Sequence, residues 1–208
     1  MTIKVSGASL TRVDRASARY AYLREVHQKI AAKDATTWGP AAAEEAAIRL
    51  NWVDLPTKSR DLLPELDALS AWARSNGLTQ IVLCGMGGSS LAPEVIASTY
   101  RKSLTTLDST DPGQILNSIP SDLSKAVVVV GSKSGTTIET LTQFEFYINI
   151  FKEADLNPIQ HMVIITDLGT PLDIRARKEG YKVVNADPNV GGRFSALSAF
   201  GLVPAALI

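Results

Sequence analysis

The chain has 208 residues, 45% of them hydrophobic, so it can bury a substantial core as one large domain or as a domain with an appendage. Its 21 basic and 21 acidic residues cancel, and no long run of either sign predicts a nucleic-acid or membrane-surface partner. The single cysteine, Cys84, excludes an internal disulfide and is predicted to be a small buried hydrophobe in a reducing compartment. Because there is neither a secretory signal pattern nor an apolar run of transmembrane length, we expect a cytoplasmic location.

The first 77 residues are predicted to form a helical appendage. Apolar residues at helical spacing predict one helix from about Thr11 to Ala32, a second over residues 41–52 and a third from Pro56 to Ser75. Asn76-Gly77 then forms a typical stop signal. Since none of these segments concentrates chemically reactive side chains, function is expected in a second domain over residues 78–208.

From Thr79 onward, strand patterns alternate with helical patterns. Five apolar segments predict strands, and these are QIVLCG, LTTLD, AVVVVG, HMVIIT and YKVVNA. Helices between successive strands predict a parallel sheet covered on both faces, which is a three-layer α/β sandwich. His161 opens the fourth strand and is expected at the surface or the sheet edge. Asp167 closes that strand; it could reach the ligand edge of the sheet, but capping the turn at Gly169 is favoured.

Hydroxyl groups are concentrated in the loop after the third strand. The buried run Val127–Val130 ends at Gly131, and the next six residues hold Lys133 and four hydroxyl residues, namely Ser132, Ser134, Thr136 and Thr137. Thr136 and Glu139 have the spacing of a capping box, which predicts that a helix begins here. Free backbone N–H groups and the helix dipole favour an anion at such a terminus, while hydroxyls and an ammonium donate to phosphate oxygens. The loop therefore predicts a phosphate site.

A second loop, GMGGSS at Gly85–Ser90, joins the first strand to its helix. Gly87 and Gly88 remove side chains where a ligand could approach the backbone, and Ser89 or the serine after it can cap the helix. The segment also approximates a dinucleotide fingerprint whose third glycine is replaced by serine, with Asp108 placed to bind a ribose. Two neighbouring anion-binding loops suit a compact phosphorylated sugar better, and a dinucleotide-binding oxidoreductase stays the alternative.

Three segments resemble the phosphoglucose isomerase family. They are GMGGSSLAPEVI, GSKSGTTIETLTQFEF and NVGGRFSALSAFGL, they occur in the family's order, and the resemblance runs from about Gly77 to Leu202. It implies a sugar-isomerase (SIS) domain, a five-stranded parallel sandwich with flavodoxin-like strand order. It also implies interconversion of glucose 6-phosphate and fructose 6-phosphate, with neither a metal nor a nucleotide cofactor.

The same resemblance implies roles for particular residues. The residues expected to bind the substrate phosphate are Gly87, Gly88, Ser89, Ser132, Lys133, Ser134, Thr136 and Thr137. Arg193, which follows two glycines, would stabilise the enediolate formed as a proton moves between C1 and C2, because a fixed cation beside developing oxyanion charge lowers the barrier. In the family the base is a glutamate from a second sugar-isomerase domain, and a histidine and a lysine assist ring opening. No motif for these three groups occurs here.

The sequence thus predicts the N-terminal part of an isomerase that is inactive by itself. Residues 194–208 carry no charge, so they are expected to pack against something outside this chain. The expected partners are the two sugar phosphates and, for the full-length enzyme, a second copy in a homodimer. A non-catalytic sugar-phosphate-binding module built on the same domain is the other alternative.

Overall fold

The structure, a computed structural model, describes residues 6–8 and 14–208. Its strands are β1 (Gln80–Gly85), β2 (Thr105–Leu107), β3 (Ala126–Gly131), β4 (Met162–Asp167) and β5 (Lys182–Ala186). They form one parallel sheet in the order β2-β1-β3-β4-β5. The apolar segments identified in the sequence correspond to these strands, so the predicted sheet and its strand order are confirmed.

Helices precede and connect the strands. In chain order they are α1 (Ala18–Ala31), α2 (Pro40–Ala47), α3 (Leu55–Lys58), α4 (Leu63–Ser75), α5 (Leu91–Thr99), α6 (Pro112–Ser118), α7 (Ile138–Glu153), α8 (Pro171–Glu179) and α9 (Ala199–Leu207). No helix in the described ranges is long and apolar enough to cross a membrane.

The sheet is buried on both faces. Because side chains alternate along a strand, Ile81 and Leu83 of β1 pack into one apolar cluster with α4 and α9. Val82 and Cys84 of the same strand pack into the opposite cluster, which contains the side chains of α7 and α8. Full burial raises the pKa of the Cys84 thiol, so it is a packed, inert group as predicted. The predicted three-layer arrangement is confirmed.

The strand order places a topological switch between β1 and β3. The chain runs from β1 to β2 on one side and then crosses back to β3 on the other. In open α/β sheets, ligands bind outside the carboxyl ends of the strands at such a point. The glycine loop follows β1 and the hydroxyl loop follows β3, so both lie at the switch.

The apolar C-terminal segment packs against this chain itself. Phe200 and Val203 of α9 lie in the same buried cluster as Leu66 of α4. Gly201 permits a close approach, because a Cβ there would lie 2.7 Å from the carbonyl carbon of Ala196. The expectation of a covering outside the chain is therefore wrong for the buried face, because the sheet and α4 of this chain cover it. The domain boundary near residue 77 stays a prediction.

The front helices are shorter than the sequence predicts. Helix α1 begins at Ala18, and the start that the sequence predicts near Thr11 lies outside the described residues. The second helix ends at Ala47 rather than near Trp52. The third is interrupted by a 3₁₀ turn between α3 and α4, where Pro64 in the first turn of α4 lacks the N–H that a continuous helix needs.

His161 is buried, which corrects the expectation of a surface position. Its Nδ1 lies 3.0 Å from the carbonyl oxygen of Ala126, and its ring stacks on Phe151 at 4.9 Å between centroids. Phe151 covers the apolar face of the imidazole, and the Ala126 carbonyl gives Nδ1 a hydrogen-bond partner. The side chain therefore has a structural role.

Candidate functional site

The two loops approach each other at the ends of β1 and β3. Gly85 and Gly131 are register partners in the parallel ladder. A Cβ on Gly85 would lie 3.1 Å from the Cβ of Ser89 and 3.2 Å from the carbonyl oxygen of Gly131. Because neither strand end carries a side chain, the glycine loop folds tightly over the end of β3, and Ser89 is brought beside the hydroxyl loop.

The hydroxyl loop is shaped by Gly135. This residue has φ +65°, and a Cβ on it would lie 2.7 Å from the hydroxyl of Thr170, so only glycine fits both the conformation and the contact. Within the loop, Ser132 donates to the hydroxyl of Thr137 at 3.2 Å. Ser134 accepts from both the backbone N–H and the hydroxyl of Thr136, at 3.2 and 2.9 Å. The four hydroxyls of the loop therefore form two bonded pairs.

The expected capping box is not formed. Thr137, not Thr136, is the N-cap residue of α7, and its side chain makes no capping hydrogen bond. The Thr136 hydroxyl bonds to Ser134 instead, and no bond from Glu139 back to the cap occurs within the described residues. The capping bonds do not form because the loop hydroxyls bond to one another instead of to the first backbone N–H groups of the helix. The consequence is a helix N-terminus with N–H groups that remain available to an anion.

The loops enclose a cavity of about 410 Å³, hereafter the hydroxyl cavity. Of the residues predicted to bind phosphate, those that line it are Gly88, Ser89, Ser132, Lys133, Ser134 and Thr137. Gly87 and Thr136 do not line it. Gly87 has φ +58° and accepts from the Ser90 hydroxyl at 3.1 Å, which gives it a conformational role in the turn.

Three further polar side chains line this cavity. The sequence indicated neither Thr140 nor Arg49 as a site residue, and it offered Asp167 at the ligand edge only as the less favoured alternative to a turn cap. Thr140 lies in the first turn of α7, and its buried hydroxyl has no partner among the described residues. Asp167 ends β4, and Arg49 follows α2. Thr140 lies three residues after Thr137, almost one helical turn, so the helical spacing predicts that both hydroxyls face the same side of α7. No comparable local pattern points to Arg49.

A third loop completes the site. Gly192–Leu197 form a 3₁₀ helix before α9, and the hydroxyl of Ser195 donates to the carbonyl oxygens of Gly192 at 2.7 Å and Gly88 at 3.2 Å. The hydrogen bonds of this buried serine thus connect the glycine loop to the loop that carries Arg193. The Arg193 side chain has no ion-pair or hydrogen-bond partner among the described residues.

Arg193 lines a second cavity of about 590 Å³, hereafter the arginine cavity. Its walls are largely apolar and include Trp38, Leu50 and Trp52, with Phe194 stacked on Trp52 at 5.0 Å between centroids. The two cavities share three residues, which are Arg49, Lys133 and Gly192. They are therefore adjoining, one polar and one mainly apolar.

Lys133 connects three strand ends. Its ammonium donates to the Oδ2 of Asp167 at 2.6 Å and to the carbonyl oxygen of Asp187, after β5, at 3.1 Å. The favoured cap role of Asp167 is therefore wrong, because its carboxylate pairs with Lys133. Asp173 accepts from the Gly169 N–H at 2.9 Å instead. The Oδ1 of Asp167 is buried and has no partner within the described part of the chain.

The dinucleotide alternative receives no geometric support from Asp108. That residue lines a separate cavity of about 380 Å³ at the end of β2, which shares no lining residue with the hydroxyl cavity. Ser90, in place of the third glycine, is fully buried. In the described ranges, no group of three or more His, Cys, Asp or Glu side chains is placed to hold a metal ion.

Fold and site together define a doubly wound α/β domain with adjoining polar and apolar cavities at its switch point. The chain belongs to the phosphoglucose isomerase family, whose model matches residues 54–208. This match favours the sugar-isomerase domain over the dinucleotide alternative.

Individual relatives agree. A probable glucose-6-phosphate isomerase of Methanococcus maripaludis is 36% identical over 142 residues, which are 62% of this chain and 32% of that protein. The crystal structure of the hypothetical protein TT0462 from Thermus thermophilus is 31% identical with a TM-score of 0.72, covering 91% of this chain and 46% of that one. A glucose-6-phosphate isomerase structure from Chlamydia trachomatis is 29% identical with a TM-score of 0.62, covering 84% and 33%. The chain thus spans less than half the length of each of these relatives.

Proposed function

We propose that this chain is the N-terminal, phosphate-binding part of a glucose-6-phosphate isomerase, which interconverts glucose 6-phosphate and fructose 6-phosphate. The observation that carries the proposal is the convergence of the glycine loop and the hydroxyl loop on one cavity, in a chain that belongs to the phosphoglucose isomerase family. Cytoplasmic location and a homodimer of the complete enzyme are part of the same proposal and rest on the resemblance.

In this proposal the hydroxyl cavity holds the phosphoryl group. Hydroxyls of Ser89, Ser132, Ser134 and Thr137 donate to its oxygens, and the unoccupied N–H groups at the start of α7 add the positive end of a helix dipole. Lys133, whose charge is shared with Asp167, adds an N–H donor at the edge of the cavity. Gly87, Gly88 and Thr136 shape the loops so that these donors converge.

The sugar carbons then extend toward the arginine cavity, where Arg193 stands near the enediolate. The apolar walls lower the local dielectric, so a guanidinium there stabilises developing oxyanion charge more strongly than it would in water. Among the described residues, the carboxylates that line the two cavities are Glu45 and Asp167, and each is bonded to a cation. Proton transfer between C1 and C2 therefore requires a base from outside these cavities, and we expect negligible turnover by the chain alone.

Calorimetric titration of the chain tests the proposal. Fructose 6-phosphate should bind measurably, whereas fructose and a nicotinamide dinucleotide should not. Binding of the dinucleotide in preference to the sugar phosphate would refute the proposal and favour the oxidoreductase. Robust isomerisation by this chain in a coupled assay would refute the requirement for an external base.

A further inference from the structure

Arg49 is fixed beside the site by contacts between distant parts of the chain. Its neighbour Leu50 forms an antiparallel bridge with Val190, in the segment that leads to Arg193. The next residue, Asn51, donates through its side-chain amide to Asp187 at 2.8 Å. The segment after α2 is therefore attached to the segment after β5, and Arg49 cannot move away from the cavities without breaking these contacts.

The guanidinium of Arg49 is held in place by hydrogen bonds that use only some of its N–H donors. Its Nε donates to Glu45 at 2.7 Å and its Nη1 donates to the carbonyl oxygen of Pro188 at 3.2 Å. An arginine carries five N–H donors, so three remain without a partner among the described residues. The pairing with Glu45, four residues earlier in the chain, is solvent-exposed, with the glutamate side chain 69% exposed, and such pairs are weak. The arrangement fixes the planar group and leaves donors for another acceptor.

The charges around Arg49 indicate that the acceptor for its remaining N–H donors is an anion. It lines both cavities, as Lys133 does, and so lies where they adjoin. The positive charge of Lys133 is already compensated by Asp167 at 2.6 Å. A phosphoryl dianion in the hydroxyl cavity would therefore meet hydroxyls, backbone N–H groups and a lysine that is paired with Asp167 and has one N–H donor left, whereas Arg49 has three. A guanidinium suits this place, because its fork of N–H groups matches phosphate geometry.

We infer that Arg49 is a substrate-binding residue that donates to the phosphoryl group of the ligand at the junction of the two cavities. The inference rests on the proposed function and extends it to the front segment, where sequence analysis found no site residue. Arg49 also precedes residues 54–208, the part of the chain that the family model matches.

Modification of arginines in the unaltered chain provides the first test. Phenylglyoxal is applied with and without saturating fructose 6-phosphate, and modified peptides are quantified by mass spectrometry. Arg49 and Arg193 should both be protected, whereas Arg60, an exposed arginine that lines neither cavity, should react equally in both samples. Protection of Arg193 without protection of Arg49 would overturn the inference about Arg49 and leave the proposed function intact. Protection of neither would overturn the proposed function, and this inference with it.

Variants provide the second test, with inorganic phosphate and fructose 6-phosphate as calorimetric probes. Arg49→Gln should weaken the binding of both by about tenfold or more, since it removes a charge-assisted donor. Arg49→Lys should lose less, because it keeps the charge but not the fork. Arg60→Gln should leave both affinities unchanged. Unchanged affinities in a folded Arg49→Gln variant would contradict the inference, and the modification experiment decides the matter if that variant does not fold.

Discussion

The backbone of Gly88 lies directly against the backbone of Gly192. A Cβ on Gly88 would lie 2.7 Å from the carbonyl carbon of Gly192, whereas a Cβ on Gly192 would meet no atom of the described residues within 4 Å. The glycine loop after β1 and the loop that carries Arg193 therefore pack backbone to backbone, and the hydroxyl of Ser195 spans their contact. Two segments separated by a hundred residues of chain are held as one unit.

This contact predicts an asymmetric response to alanine. Gly88→Ala should separate the loops and cost about 1–3 kcal/mol of unfolding free energy, as overpacking does. Gly192→Ala is the matched control, and its effect on stability should stay within about 0.5 kcal/mol because its added methyl meets open space. Denaturant unfolding of both variants measures the difference. If Gly88→Ala and Gly192→Ala were equally stable, the two loops would accommodate the added methyl group without loss of stability, and this prediction would be wrong.

Removal of two loop hydroxyls should weaken ligand binding without unfolding the domain. In Ser132→Ala with Thr137→Ala, two donors of the hydroxyl cavity are lost, and fructose 6-phosphate should bind about tenfold or more weakly. Thr142→Ala is the control on the same helix, since its exposed hydroxyl bonds to the carbonyl oxygen of Ile138 and lines neither cavity. Calorimetry and thermal unfolding separate the two effects. Unchanged affinity would mean that these hydroxyls serve only the loop itself.

Local pattern predicted the sheet well and the polar contacts poorly. Val127–Val130 are β-branched and buried on both faces, so their burial follows from composition alone. Arg49 carries no comparable signal, because it reaches the site only through the pairing of Leu50 with Val190, far along the chain. Such pairings depend on the packed structure and cannot be inferred from neighbouring residues.

Two errors have the same physical origin. Asp167 before Gly169 has the spacing of a turn cap, and Thr136 before Glu139 has that of a capping box. In the structure Asp167 pairs with Lys133, and Thr136 bonds to Ser134. In each case a side chain had several acceptable partners, and the one brought close by the loop geometry prevailed over the one predicted by sequence spacing.

The ion pair between Lys133 and Asp167 should restrain phosphate binding while stabilising the fold. Their side chains are only 22% and 14% exposed, so Asp167→Asn should cost about 1–3 kcal/mol of unfolding free energy. The same change removes a negative charge from the hydroxyl cavity, so inorganic phosphate should bind more tightly. Glu179→Gln, which weakens the exposed pair with Arg175, should cost less than about 1 kcal/mol and leave phosphate affinity unchanged. Weaker phosphate binding by Asp167→Asn would contradict this account.

Asp173 should contribute to the acid sensitivity of the fold. A hydrogen bond from Asn185 lowers the pKa of the Asp173 carboxyl, bonds from the Gly169 N–H and Arg177 lower it further, and burial opposes them. Because the pKa is lower in the folded state, the stabilisation is present above the unfolded value of about 3.9 and is lost as the pH falls through the folded value. Unfolding free energies of the wild type and Asp173→Asn should therefore differ most near neutral pH and converge in acid. A constant difference across this range would exclude Asp173 as the source.

Arg193 should act on turnover more than on affinity when it is tested in the complete enzyme. It lines the apolar arginine cavity and not the hydroxyl cavity, so its removal leaves the phosphate donors in place. Arg193→Ala should lower kcat by about 10²–10³, the loss typical of removing one donor to a developing oxyanion, with a much smaller change in KM. Arg193→Lys should recover part of kcat, because it restores the charge without the planar fork. An increase in KM at unchanged kcat would instead place Arg193 on the ground-state ligand, and the assignment to the enediolate would fail.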